Sequence, residues 1–144
     1  MEATLNIPTL IAARPKSQSV TIAYWSVTGL FCLWIAITTY AQLTVPQVAE
    51  ANRQLGFPSA CFRVELSWAK ILGIALLLMP VPAGIKEWAY AGFGIDFVSA
   101  FIAHVSVGQG PDHYVWALVA IVLLLVSYVF REHLRPTPTA ALQP

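Results

Sequence analysis

At 144 residues the chain is 58% hydrophobic and only 10% charged, with a formal net charge of +1 and a mean hydropathy of +0.68. That composition excludes an ordinary soluble domain, and the near-neutral balance leaves no basic patch for nucleic acid. It implies a membrane protein whose first partner is the lipid bilayer.

Four apolar runs can be drawn, at residues 21–43, 62–79, 87–107 and 113–130. Each is near the ~20 residues that cross a ~30 Å hydrocarbon core as a helix. Barrel strands would be about half as long and would alternate, which these runs do not. The expected fold is all-α: an integral membrane bundle of four transmembrane helices within residues 20–131. A cytoplasmic arm (residues 1–19) precedes it and a proline-rich, disordered tail (132–144) follows. The arm has no continuous apolar core and no cleavage signal, so the first helix is expected to be retained. Arg14, Lys16, Lys86, Arg131 and Arg135 fall on one side of a four-crossing chain, and only Arg53 and Arg63 on the other. Both termini are therefore expected in the cytoplasm.

Helix one carries Tyr24, Thr28, Phe31, Ile35, Thr38 and Gln42 at alternating spacings of four and three, a single face more polar than the rest. Tyr24, Thr28, Phe31 and Thr38 are candidates to line a ligand site, although hydroxyls on membrane helices also serve as links between helices. Cys32 falls near mid-membrane and Cys61 at the outer end of helix two, about 15 Å away along the axis, so no disulfide is expected. Between the first two runs, Pro46 opens and Gly56 with Pro58 closes a short amphipathic helix on the outer surface, as a lid or, more simply, packed against the helix ends.

Helix two has a charged outer half with Arg63, Glu65 and Lys70, and an apolar inner half ended by Pro80 and Pro82. Helix three carries Asp96 and His104. An ionisable side chain at bilayer depth is costly unless paired or wetted, and marks a candidate functional site. Counting 1.5 Å per residue places Lys70 and Asp96 both about 12–14 Å deep, and Glu65 and His104 both within about 5 Å of the outer edge. Two ion pairs are predicted from these matched levels. The angles fit less well, because Glu65 and Lys70 are about 140° apart around an ideal helix.

Ala89, Gly92, Ser99, Ala100 and Ala103 share the Asp96 side of helix three and predict a close helix contact. Trp88, Phe93, Phe97 and Phe101 oppose them and are expected to face lipid, or else to line a pocket. Trp68, Phe97 and Ser99 complete the candidate ligand-binding set. Pro111 and Asp112 start helix four, which reads as a packing helix with Ser127 and Tyr128 near its inner end.

The segments LGFP (55–58), FRVELSWAKILG (62–73) and KEWAYAGFGIDFVSAFIAHVSVGQG (86–110) make the chain similar to the DoxX-like family of small four-helix bacterial membrane proteins. The likeness runs from about Tyr24 to Tyr128. It implies a place in the bacterial cytoplasmic membrane, and it singles out Lys70, Glu87, Asp96 and His104. It also implies an association with membrane quinone-linked redox complexes or a chaperone-like role.

Three functions are compatible with these residues. The bundle can bind a lipophilic small molecule, a quinone or an apolar metabolite, for a membrane redox partner. No cluster cysteines, nucleotide fingerprint or pair of haem histidines supplies a redox centre within the chain. Alternatively, Asp96, Glu65, His104 and Lys70 form the acid and base groups of an intramembrane isomerase, cyclase or epoxide-opening enzyme. In the third reading the polar groups fix helix register in a non-catalytic scaffold. No metal site is expected, since the ligand spacing is absent. A homodimer, the commonest oligomer, is left open.

Overall fold

The computed structural model describes residues 18–56 and 60–135, and these fold into five helices. Most of the predicted arm, Pro58 of the predicted helix stop and the tail from 136 lie outside the described residues. The helices are α1 (Gln18–Thr44), α2 (Pro46–Gln54), α3 (Ala60–Leu78), α4 (Ala83–Ser106) and α5 (Pro111–Leu134). Among the described residues there is no strand.

Local chemistry sets these boundaries. Pro46 and Pro111 occupy first-turn positions of α2 and α5, where a missing N–H costs nothing. Pro80 and Pro82 separate α3 from α4. The turn after α4 uses Gly108 at φ +71°, a left-handed conformation that glycine adopts without strain.

The four long helices form a ring. α1 and α4 each pack against both α3 and α5. Short connections reverse the chain each time, so α1 and α4 run one way and α3 and α5 the other. The start of α4 meets the end of α3, where Lys86 Nζ donates to the Leu77 carbonyl over 2.9 Å. That bond satisfies one of the carbonyls left open at a helix C-terminus.

Phe31 on α1 fills the bundle axis, with no exposed surface. It meets Phe93 and Phe97 of α4 edge-on, at ring separations of 5.3 and 5.8 Å. Gly73 on α3 makes room for them, because a Cβ there would stand 2.7 Å from the Phe93 ring. Phe93 and Phe97 therefore depart from the expected lipid-facing position. The diagonal pair α1 and α4 are held too far apart for small residues to touch, and aromatic rings span the gap. Trp88, by contrast, is 81% exposed, as expected of a lipid-facing residue.

Outward faces carry Leu30, Leu33, Ile37, Leu72, Ile95, Val122 and Leu125, all exposed. So much apolar surface matches hydrocarbon rather than water. Three helices, α1, α4 and α5, are long and apolar enough to cross a membrane. The remaining long helix, α3, carries Arg63, Glu65 and Lys70 in its outer half.

Candidate functional site

A cavity of about 450 Å³ lies among α1, α2, α3 and α4. Four helices contribute distinct chemistry. α1 supplies Thr38 and Gln42; α2 contributes Val48 and Asn52, followed by Leu55; α3 gives Phe62, Arg63, Leu66 and Lys70. From α4 come Gly92, Ile95, Asp96, Ser99, Ala100 and His104. The helical repeat explains the α4 set, since Gly92, Asp96, Ser99 and Ala100 follow one another at spacings of one, three and four.

The predicted Lys70–Asp96 pair is present, with Nζ and Oδ2 3.4 Å apart and each side chain about 15% exposed. Lys70 Nζ also donates to Gln42 Oε1 at 3.4 Å. Both contacts are longer than the ~2.8 Å of a tight charge-assisted hydrogen bond. The ammonium is thus held between two partners without being saturated by either.

A second opening shares the same wall. A groove of about 230 Å³ between α3 and α4 is lined by Ala69, Leu72, Gly73, Leu76, Trp88, Ala89 and Phe93, together with Leu66, Lys70, Gly92 and Asp96. The last four residues line the larger cavity as well. The ion pair therefore stands where the larger chamber, apolar with several polar groups, meets an apolar slot on the bundle's side.

The predicted Glu65–His104 pair does not form. Glu65 is exposed and makes no ion pair among the described residues. His104 instead joins Gln109 just beyond its own helix, Nδ1 to Oε1 at 2.5 Å, and stacks on His113 with ring centres 6.2 Å apart. Depth matched, but direction did not: with Lys70 turned inward, Glu65 is carried to the outside by the 140° between them.

The remaining candidates separate into three groups. Thr38 and Ser99 line the cavity. Tyr24, Thr28, Phe31 and Phe97 are buried away from its lining, in the bundle interior. Trp68 is 66% exposed and lines neither opening.

At the other end, Ser127 Oγ bonds both Thr28 Oγ1 (2.7 Å) and Tyr90 Oη (2.8 Å), linking α1, α4 and α5. Arg131, buried, donates to Glu87 Oε1 at 3.0 Å and to the Ala83 carbonyl at 2.8 Å, with its guanidinium 5.4 Å from the Tyr90 ring centre. Arg135 reaches the same Glu87 oxygen. The sequence reading missed this cluster, although matching depths would have found it: Glu87 opens one helix and Arg131 closes its antiparallel neighbour. It also left Arg63, Gln42 and Asn52 out of the site.

Cys32 and Cys61 are both free, as the spacing predicted. Among the described residues no cluster of three or more metal-ligating side chains forms. Residues 26–129 match the model of the DoxX-like family. No curated protein and no solved structure matches the chain.

Proposed function

The chain belongs to the DoxX-like family of membrane proteins, and from that premise we propose that it binds a lipophilic small molecule carrying a polar oxygen head. The molecule is a quinone or an apolar metabolite, and it serves a redox partner in the membrane. One observation carries the reading: the loosely held Lys70–Asp96 pair lines both the larger cavity and the apolar side groove. An amphiphile can enter sideways from the bilayer through the α3–α4 slot and offer its oxygen to Lys70. Pockets of this size, largely apolar with a few convergent polar groups, suit such ligands.

All four long helices span the bilayer in this reading. α3 is about 28 Å long at 1.5 Å per residue, enough to cross, and its charges turn toward the cavity or the outer interface. Lys86, Arg131 and Arg135 at the closed end favour the cytoplasmic side of a bacterial inner membrane, with both termini there. Residues 20–131 form the transmembrane domain, flanked by the N-terminal arm and the C-terminal tail.

A second reading has specific support. Asp96, Lys70 and His104 line one chamber, so a bound substrate would meet a carboxylate and an imidazole together. General acid–base chemistry on an apolar substrate needs that arrangement. Glu65 has no part in it, being outside the lining.

Native extraction followed by mass spectrometry of the retained small molecule tests the proposal. A stoichiometric quinone supports the redox-associated module. An apolar compound with a double bond or epoxide moves the assignment to the acid–base enzyme, and bulk phospholipid alone refutes both.

A further inference from the structure

The charges lining the cavity do not balance. Arg63 and Lys70 contribute two positive charges against the single carboxylate of Asp96. Glu65, two residues from Arg63 on the same helix, is exposed and takes no part in the lining. Arg63 makes no ion pair among the described residues, and its Nε is buried without a hydrogen-bond partner. Lys70 has three N–H donors and directs them at two acceptors, each 3.4 Å away.

Arg63 is half-buried and lines the cavity with no carboxylate against it, and an unpaired guanidinium is a planar fork for an oxyanion. Asp96 is already committed to Lys70, leaving Arg63 as the surplus cation. Building on the proposed lipophile site, and on its metabolite branch because a quinone carries no ionised group, we infer that the ligand carries a singly charged oxyacid head, of the carboxylate type, held by Arg63 at the outer end of the cavity with Lys70 beneath it. The apolar body lies along Leu66 and Ile95 toward the α3–α4 groove. Leu66 lines both openings, which makes the path continuous. α2 contributes Val48 and Asn52 to the cavity wall.

The test titrates the full-length protein in zwitterionic-lipid nanodiscs with dodecanoate, dodecanol and dodecylamine, using calorimetry against empty nanodiscs. Dodecanoate should bind about tenfold more tightly than dodecanol, with dodecylamine weakest. In Arg63→Gln that preference should fall to about one while dodecanol binding is retained; if the variant does not fold, the wild-type ratio alone decides. Repeating the titration with phosphatidylglycerol nanodiscs separates two sources of the same chemistry. Unchanged affinity assigns the site to a free amphiphilic acid, and competition assigns it to a lipid phosphate. Equal binding of dodecanoate and dodecanol overturns the head-group inference and leaves lipophile binding standing. No binding of any probe above the empty nanodiscs overturns both.

Discussion

The two ends of this bundle use buried charge in opposite ways. At the closed end Arg131 is tightly held, with a carboxylate at 3.0 Å, a backbone carbonyl at 2.8 Å and an aromatic face beneath it. In the open half Lys70 sits at 3.4 Å from both of its partners beside a cavity of about 450 Å³, and Arg63 Nε has none. Satisfied groups hold helices together; undersatisfied groups beside empty volume are where a ligand gains binding energy. On the proposed reading, the difference assigns ligand binding to the open half.

Substitutions at each end should break this contrast in different ways. The largest effect on folding is expected from Arg131→Met, which leaves the Ala83 carbonyl without its donor and Glu87 with Arg135 alone at the α4–α5 contact. Each hydrogen bond to a charged group that is lost costs about 1.5–3 kcal/mol, and Arg131 makes two. The folded yield, followed by size-exclusion chromatography in detergent, should drop severely, while ligand retained per folded molecule stays constant. Ser127→Ala comes next, since it removes the hydroxyl that joins Thr28 to Tyr90 and leaves both buried. A loss of about 1–3 kcal/mol should appear as a lowered melting temperature, again with ligand binding unchanged. Glu65→Gln should alter neither property beyond about 0.5 kcal/mol, because the side chain is exposed and outside the cavity lining. A strong loss of ligand in that variant would restore Glu65 to the site.

The helices were legible in the sequence because bilayer thickness imposes a length on each apolar run, and proline and glycine mark the stops. Residues 62–79 became Ala60–Leu78, and residues 21–43 became Gln18–Thr44. Depth was legible too, since 1.5 Å per residue brought Lys70 level with Asp96. Direction was harder to read. Depth fixes one coordinate of a side chain, and its angle around the helix is set by which neighbours pack where. Glu65 and His104 shared a level and missed each other for that reason. The same gap accounts for Phe93 and Phe97, whose aromatic stripe faces the axis because Gly73 lets the rings in. Nothing in a single sequence announces that a glycine on one helix accepts a phenylalanine from another. Thr28 was readable as polar and inward-facing, but its use, bonding Ser127 rather than a ligand, depended on a hydroxyl 99 positions away.

The central claim is that the Lys70–Asp96 half binds and the Arg131 half supports. Asp96→Asn tests it most directly, because the amide keeps an acceptor oxygen for Lys70 while removing the charge. The measurement is the amount of small molecule co-purifying per folded protein, read by mass spectrometry beside the folded yield. The account predicts retention lowered by an order of magnitude or more at near-normal yield. Unchanged retention, or a collapse in yield like that expected for Arg131→Met, would contradict it and make the pair one more strut of the bundle.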